Sequence, residues 1–285
     1  ADDIAGAQAM YGVPVTTPTP APTPAPTDSR LVNISTRMKV GTGDDVLIGG
    51  FIVDGAQPKK LLVRATGPSL SQYGLTGVLA DPVLELHDGT GKLIAQNDNW
   101  QSGGQASDII ATGKMPLDPA EPAIITTVNP GSYTVIIRGA NNGQGVALVE
   151  AYELDTPGTR LVNLSTRGRI GTGDEVLIGG LIVQGTMNKS VLIRATGPSL
   201  AGILPGFLND TVLELYNGSG ALIASNDNWT TSAQNAEIIA STHAPSSPLE
   251  SAIATSLAPG TYTAIVRGAN GATGIGLIEV YDLTP

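Results

Sequence analysis

The chain contains two near copies of one long sequence. Residues 30–37 read RLVNISTR and residues 160–167 read RLVNLSTR. Other shared segments recur at an offset of 130 or 129 residues: GTGD at 41–44 and 171–174, RATGPSL at 64–70 and 194–200, NDNW at 97–100 and 226–229, and RGAN at 138–141 and 267–270. Such a period exceeds that of solenoid repeats and matches one whole domain. The sequence therefore predicts a tandem duplication, with repeat 1 at residues 29–155 and repeat 2 at residues 156–285.

Composition narrows the class of protein further. The 285 residues are 41% hydrophobic but only 4% aromatic and 14% charged, which suffices for two modest apolar cores. The formal net charge of -10 argues against a nucleic-acid partner, because phosphates demand a basic surface. The chain has no cysteine, which excludes disulfides and thiolate metal sites. No apolar stretch approaches the roughly 18 residues of a membrane helix. These features are typical of a secreted or cell-surface bacterial protein.

The sequence pattern of each repeat is that of an all-β protein. Runs rich in Val, Ile and Leu alternate with Gly, Asn, Asp and Pro clusters, which is typical of short antiparallel strands. In repeat 1 the strands are predicted at 31–37, 46–53, 60–65, 83–87, 93–97, 123–128, 131–139 and 145–152, with equivalents in repeat 2. Short helical turns are predicted near 106–112 and 235–241. We expect two tandem antiparallel β-sandwich domains, Ig-like or jelly-roll-like, behind an extended N-terminal arm.

Residues 13–28 form a Pro/Thr-rich arm. Pro, Thr and Ala alternate along it, and prolines recur from Pro14 to Pro26. Because proline fixes φ and removes a backbone donor, the composition forbids helices and sheet ladders and favours a polyproline II rod of ~3.1 Å per residue. A spacer between domains is one interpretation. The threonines of the arm are also candidates for O-glycosylation: Thr16, Thr17, Thr19, Thr23 and Thr27.

Residues 1–12, together with the start of the arm, form a candidate segment for docking on a neighbouring protomer. Apolar residues alternate along it, as in a strand with one buried face. The candidate contact residues are Ala5, Ala7, Ala9, Met10, Tyr11, Val13 and Val15. The same segment also fits a short helix with Ile4, Ala7, Met10 and Tyr11 on one side. Both conformations stay open from the sequence.

Three resemblances accompany these patterns. The order Leu-Glu-Leu, Gly turn, Leu-Ile-Ala, Asn-Asp-Asn and Pro-Gly-Ser/Thr-Tyr-Thr in 84–134 and 213–263 resembles the bacterial pre-peptidase C-terminal type of β-sandwich, which implies a module of secreted hydrolases. Residues 1–12, ADDIAGAQAMYG, resemble the last helix of matrixin-type zinc proteases, but the chain lacks that family's His-Glu-x-x-His motif. The layout is similar to pilus-like fibres of tandem Ig-like domains joined by N-terminal strands.

Residues suited to catalysis are few. The two histidines, His87 and His243, stand at non-equivalent places in the repeats, so three zinc ligands cannot be assembled. A Ser-His-Asp arrangement around Ser69 or Ser199 is not predicted either, and these serines are interpreted as turn residues. The recurrent arginines, such as Arg64, are expected to pair with carboxylates. We therefore do not expect an enzyme.

Asp98 and Asp227 are weak candidates for calcium ligands, because hard cations require several oxygens at one loop. The candidate co-ligands are Asp81, Glu85 and Glu121 in repeat 1 and Asp210, Glu214 and Glu250 in repeat 2. The alternative is an Asx turn that closes the loop before Trp100 or Trp229. Each tryptophan is interpreted either as a sugar-stacking platform or as a packing residue at a sheet edge. No other cofactor is expected.

Two functions follow as hypotheses. The first is a non-catalytic extracellular structural subunit that polymerises head to tail into a filament, because a β-sandwich leaves strand edges with which an extended segment of another copy can pair. The alternative is a C-terminal accessory module of a secreted bacterial metalloprotease, which binds a glycan or a protein surface. Neither hypothesis includes a nucleic-acid partner or a membrane span.

Overall fold

The computed structural model of the chain describes residues 29–155, 158–173 and 175–283. The predictions for the docking segment and the Pro/Thr-rich arm fall on residues 1–28 and lie outside the described residues. Regular structure in the described ranges is dominated by strands, with a few short helices between them. The all-β prediction is therefore confirmed. Each of the described helices is too short to cross a membrane.

Repeat 1 forms eight strands, and each overlaps a strand predicted from the sequence. They are β1 (Arg30–Val40), β2 (Leu47–Gly55), β3 (Lys59–Thr66), β4 (Pro82–Asp88), β5 (Leu93–Asn97), β6 (Ala123–Val128), β7 (Gly131–Gly139) and β8 (Gly145–Glu153). A 3₁₀ helix at Pro68–Tyr73 follows β3, and the predicted helical turn is present as α1 (Ala106–Ala111). Buried and less buried residues alternate along β2 and β4, which places one face of each strand toward a core.

Repeat 2 has the same order of elements. Its strands are β9 (Thr159–Ile170), β10 (Leu177–Gln184), β11 (Lys189–Thr196), β12 (Thr211–Asn217), β13 (Leu222–Asn226), β14 (Ser251–Leu257), β15 (Gly260–Gly268) and β16 (Gly274–Asp282). The second predicted helical turn is α2 (Asn235–Ala240).

The strands form two antiparallel sheets of eight, and each sheet takes four strands from each repeat. The strand order is β13-β12-β15-β10-β1-β8-β3-β6 in the first sheet and β14-β11-β16-β9-β2-β7-β4-β5 in the second. The repeats join where β1 pairs with β10 and β2 pairs with β9. Ser35 lies opposite Gly180 at one junction, and its equivalent Ser165 lies opposite Gly50 at the other. The two junctions are therefore related by a pseudo-twofold axis, and both sheets continue from one repeat into the other.

Glycines allow close contact at these junctions. A Cβ atom at Gly50 would lie 2.7 Å from Ser165 Oγ, and one at Gly180 would lie 2.3 Å from Ser35 Oγ. These glycines belong to the Leu-Ile-Gly-Gly segments at 47–50 and 177–180. Glycine within a strand often marks a close approach of another backbone or side chain, and here that neighbour is the other repeat.

One buried apolar cluster extends through both repeats and takes side chains from both sheets. Leu31 and Leu61 come from the first sheet, and Leu47 and Leu84 come from the second. Two smaller clusters lie under the short helices: Ile109 of α1 packs with Leu62, Trp100 and Ala123, and Ile238 of α2 packs with Leu192, Ala252 and Ala254. The helices thus cover part of each sheet near an edge strand.

Candidate functional site

Ser29, the first described residue, is hydrogen-bonded to repeat 2. The Ser29 hydroxyl donates a hydrogen bond to the Met187 carbonyl and accepts one from the Met187 N–H at 2.9 Å. Met187 lies in the turn between β10 and β11. The candidate contact residues and the O-glycosylation candidates precede Ser29 and lie outside the described residues.

Four strands form the edges of the two sheets: β5 and β6 at the repeat 1 end, and β13 and β14 at the repeat 2 end. An edge strand presents unpaired backbone groups with which another strand can pair. Two of these edges also expose apolar pairs. Leu93 and Ile94 of β5 are 45% and 41% exposed, and Leu222 and Ile223 of β13 are 53% and 45% exposed. Sequence reasoning predicted exposed edges but did not locate them.

Side chains close the edge of β6. The Gln105 side chain donates to the Ile125 carbonyl at 2.8 Å and accepts from the Ile125 N–H at 3.0 Å. These two bonds occupy the positions of a neighbouring strand. Asn97 Oδ1 also accepts from the Ala123 N–H at 3.0 Å. The outward-pointing groups of β6 at these residues are therefore unavailable to an added strand.

The equivalent edge of β14 is less completely closed. Asn226 Oδ1 accepts from the Ala252 N–H at 2.9 Å, as Asn97 does in repeat 1. Gln234, the equivalent of Gln105, instead accepts from the Ser232 hydroxyl at 2.7 Å. Ala254 pairs with β11 in the register that Ile125 has with β3, so its N–H and C=O also point outward. Among the described residues, no side chain hydrogen-bonds to the Ala254 peptide.

Each RATGPSL segment folds around a buried carboxylate. Glu121 is fully buried and accepts from the N–H groups of Gly67 and Ser69, both at 2.9 Å. It also accepts from the Ser69 hydroxyl at 2.6 Å. Glu250 holds the equivalent turn of repeat 2 in the same way. The interpretation of Ser69 and Ser199 as turn residues is therefore confirmed.

Two of the candidate calcium co-ligands, Glu121 and Glu250, are thus already hydrogen-bonded to turn residues. Asp98 and Asp227 are exposed. Burial and then the Asp227 charge raise the pKa of Asp210 above its ordinary value. Within the described ranges, no three acidic or histidine side chains are grouped as a metal site. Calcium binding by Asp98 or Asp227 stays a prediction.

The expected arginine–carboxylate pairs are present on the outer faces of the sheets. Arg64 Nε donates to Glu150 at 2.6 Å, and Arg194 Nε donates to Glu279 at 2.5 Å. The Tyr152 hydroxyl donates to Glu150 at 2.5 Å. Burial and then the Glu150 charge raise the pKa of Tyr152 far above its ordinary value. The recurring arginines therefore have structural partners.

A cavity of about 340 Å³ lies next to Arg64 on the outer face of the first sheet in repeat 1. Its walls are mainly apolar, formed by Leu70, Leu75, Leu117, Leu148 and Tyr73. Tyr73 is 76% exposed and stands at the end of the 3₁₀ helix that follows β3. The buried carboxylate of Glu121 positions this helix, because it anchors the turn that starts it.

Two polar side chains that line this cavity lack hydrogen-bond partners. Arg37 Nε and Thr66 Oγ1 are buried, and neither has a partner among the described residues. Both lie opposite Leu148, Arg37 on β1 and Thr66 on β3. They therefore flank Leu148 on one face, with their Cα atoms about 10 Å apart, or two strand spacings. A buried donor without a partner costs about 1–3 kcal/mol. Sequence reasoning missed this pair, because the strand order that unites it is not visible in local patterns.

Gly41 and Thr42 of repeat 1 and Gly171 and Thr172 of repeat 2 line a second cavity of about 380 Å³. Lys39 of repeat 1 forms an ion pair with Glu175 of repeat 2 across it, at 2.5 Å. Gly43 and Gly173 have φ values of 61° and 62°, which glycine adopts readily. The ion pair is about half exposed and contributes little to stability.

The tryptophans are packing residues. Trp100 is 6% exposed and lies in the cluster under α1. Trp229 packs against the cluster under α2, and its Nε1 donates to the Ser247 carbonyl at 2.9 Å. The packing interpretation is confirmed, and Trp100 offers no open face for a sugar.

No family model and no curated protein matches this chain. Among solved structures, a DUF4785 family protein from Legionella pneumophila aligns with 88% of this chain at 10% identity and a TM-score of 0.24. The aligned part spans 63% of that protein's length. Oxalate decarboxylase from Bacillus subtilis aligns with 89% of this chain and 70% of its own, at 6% identity and a TM-score of 0.15. These similarities are too low to assign a family.

Proposed function

We propose that the chain is a non-catalytic extracellular structural subunit that assembles head to tail into a filament. In this proposal, residues 1–15 of one copy dock as an added strand on β14 of the next copy. The observation that supports it is the difference between the two equivalent edges: the Gln105 side chain hydrogen-bonds to the Ile125 peptide of β6, whereas Gln234 makes no such bond to the Ala254 peptide of β14.

We also infer that the two sheets form the layers of a sandwich and that each repeat is a jelly roll. The shared apolar cluster supports two facing layers. Repeat 1 contributes β1-β8-β3-β6 to one sheet and β2-β7-β4-β5 to the other, and repeat 2 has the equivalent order. This order is that of eight-stranded double-sheet jelly rolls. The fold alone implies no function, so the functional argument rests on the edges.

A head-to-tail polymer requires one donor and one acceptor on each copy, because two equal acceptors would branch. Within the equivalent pair of edges β6 and β14, only β14 lacks the bridging glutamine, so this pair offers one acceptor. The arm is long enough to reach an acceptor on a neighbour: residues 13–28 in polyproline II conformation span about 50 Å. In the same copy, Ser29 contacts Met187 in the turn before β11, and β11 is the strand that pairs with β14. An experiment must therefore distinguish docking between copies from docking within one copy.

Light scattering and negative-stain electron microscopy of the full chain over a range of concentrations test the proposal. We expect fibres whose length increases with concentration. Deletion of residues 1–27 removes the donor, and Ala254→Pro removes an outward N–H of the acceptor that the β11 ladder does not use. Each variant alone should stay monomeric, and each should shorten fibres when added to the full chain. A full chain that is monomeric at every concentration contradicts the proposal.

The equivalent substitution in repeat 1, Ile125→Pro, is the matched control. It changes an edge that Gln105 already closes, so fibres should persist. Loss of fibres in this control would indicate a general effect of proline on the sheets and not a specific acceptor at β14.

A second candidate function is that of a C-terminal accessory module of a secreted bacterial metalloprotease, which binds a surface or ligand. The cavity with the unpartnered Arg37 and Thr66 favours it. Under this hypothesis, deletion of residues 1–27 leaves ligand binding unchanged. Loss of ligand binding in the deletion variant would contradict it.

A further inference from the structure

The geometry points to a ligand site in the repeat 1 cavity for an apolar group that carries one carboxylate. The carboxylate lies over Leu148, between Arg37 Nε–H and the Thr66 hydroxyl, and accepts a hydrogen bond from each. The apolar part lies against the leucines of the wall, with Tyr73 at the rim. This inference does not depend on the arm or on assembly, and it goes beyond the proposed structural role.

The charges that line the cavity favour an anion. Arg37 and Arg64 carry two positive charges and Glu150 carries one negative charge, which leaves a net charge of +1 (2 − 1). Glu150 is already occupied by Arg64 at 2.6 Å and by the Tyr152 hydroxyl at 2.5 Å. Arg37 forms no ion pair with any described residue. Arg37 is therefore the free cation of the site, and a bond from it to a carboxylate is charge-assisted.

Thr66 adds an independent indication of a ligand. Thr66 is 6% exposed, yet its hydroxyl has no partner among the described residues. Buried hydroxyls in folded proteins are nearly always hydrogen-bonded, so such a group indicates a missing partner. Thr66 and Arg37 belong to different strands and face one cavity, so a single acceptor between them satisfies both.

The walls of the cavity indicate the polarity and the size of the rest of the ligand. Four leucines provide an apolar surface, and the Ser69 hydroxyl at the wall is already committed to Glu121 at 2.6 Å. A ligand rich in hydroxyl groups would find few partners there. The volume of about 340 Å³ is at the lower end for small-molecule sites. It suits a group the size of a branched aliphatic or aromatic side chain.

Repeat 2 provides a natural comparison. Arg167 and Thr196 are the equivalents of Arg37 and Thr66, but neither is among the described buried groups that lack a partner. Ile203 stands in place of Tyr73, and Ser246 stands in place of Leu117. The site is therefore assigned to repeat 1, and repeat 2 supplies matched control positions.

Two sources share this ligand chemistry: a free branched or aromatic carboxylic acid and the C-terminal residue of a peptide. Calorimetric titration of the full chain with isocaproate and with its amide tests the carboxylate. A second titration uses a peptide ending in Leu, with a free or an amidated C-terminus. We expect at least one of the two carboxylates to bind about tenfold or more tightly than its amide. The carboxylate that binds, the free acid or the peptide C-terminus, identifies the source of the ligand. Equal binding of acid and amide, or no binding of either carboxylate, overturns the inference.

Two variants and a control locate the site. Arg37→Gln should weaken carboxylate binding about tenfold, and Thr66→Val should weaken it several-fold while leaving the fold intact, because it removes a hydroxyl without a partner. Arg167→Gln in repeat 2 should leave the affinity unchanged. An equal loss in Arg167→Gln, or unchanged affinity in Arg37→Gln, overturns the assignment to this cavity.

Discussion

Thr36 and Thr166 share a hydrogen bond between their hydroxyl oxygens, which are 2.8 Å apart. The residues are equivalent in the two repeats, and both are fully buried. Their contact therefore lies on the pseudo-twofold axis. At this pair, equivalent residues of the two repeats are in direct contact.

Replacing both members of this pair should destabilise the chain by less than the sum of the two single replacements. Thr36→Val or Thr166→Val leaves the other hydroxyl buried without a partner and should lower the free energy of unfolding by about 1–3 kcal/mol. In the double variant both hydroxyls are absent, so its loss should be smaller than the sum of the single losses. Urea unfolding of the four proteins in a double-mutant cycle measures this coupling. Strictly additive losses would contradict the contact.

Met38 and Gly168 are also equivalent positions, and their sizes are complementary. A Cβ atom at Gly168 would lie 1.9 Å from Met38 Sδ, so Gly168→Ala should lower the free energy of unfolding by about 1–3 kcal/mol. In a chain that already carries Met38→Ala, the Gly168→Ala substitution should cost less, because the clash with the Met38 side chain is absent. Gly49→Ala is the control, since a Cβ atom there meets nothing nearer than 3.8 Å. Thermal unfolding of these variants tests the expectation, and equal effects at Gly168 and Gly49 would sink it.

Glu121 anchors the turn beneath the repeat 1 cavity. Glu121→Gln replaces a carboxylate oxygen by an amide that cannot accept every bond from Gly67 and Ser69. Hydrogen bonds to charged groups contribute about 1.5–3 kcal/mol each, so we expect a loss of that order. Glu175→Gln, at an exposed ion pair, should change stability by about 1 kcal/mol or less. Comparable losses in the two variants, measured by urea unfolding, would argue against the anchoring role.

The partly buried tyrosines Tyr152 and Tyr281 predict a loss of stability at alkaline pH. Burial and then the charges of Glu150 and Glu279 raise the pKa values of Tyr152 and Tyr281 well above the ordinary value of 10.0. Above about pH 10, unfolded tyrosine ionises while these two stay protonated in the folded chain. The folded state then binds more protons, so the free energy of unfolding falls as pH rises.

Urea unfolding from about pH 8 to about pH 11 measures this slope. Tyr152→Phe together with Tyr281→Phe should flatten it, whereas Tyr73→Phe, at a 76% exposed position, should not. An unchanged slope in the double variant would show that other groups cause the alkaline loss.

The local elements of this fold could be predicted from the sequence, and their long-range arrangement could not. Alternating apolar residues and turn residues predicted all eight strands of repeat 1 and both short helices, with differences of a few residues at their ends. The pairing of β1 with β10 depends on which residues fit across a junction. The Gly-Gly pairs at 49–50 and 179–180 are a signal for that junction, but their partners, Ser165 and Ser35, are visible only in the structure.

Residue pairs at the candidate sites could likewise be predicted only where the signal is local in the sequence. The pairing of Arg64 with Glu150 was predictable, because a recurrent arginine at a strand end requires a carboxylate. The Arg37–Thr66 pair was not, because its members are 29 residues apart (66 − 37) and only the strand order places both beside Leu148. The predictions for the arm stay predictions.

β1 and β16, the first and last described strands, both lie inside their sheets: β1 between β10 and β8, and β16 between β11 and β9. Tension applied to the chain at either flank therefore has to rupture two ladders of hydrogen bonds together, since neither strand can be peeled from a border. A body built in this way can transmit mechanical load between whatever is attached to its two flanks.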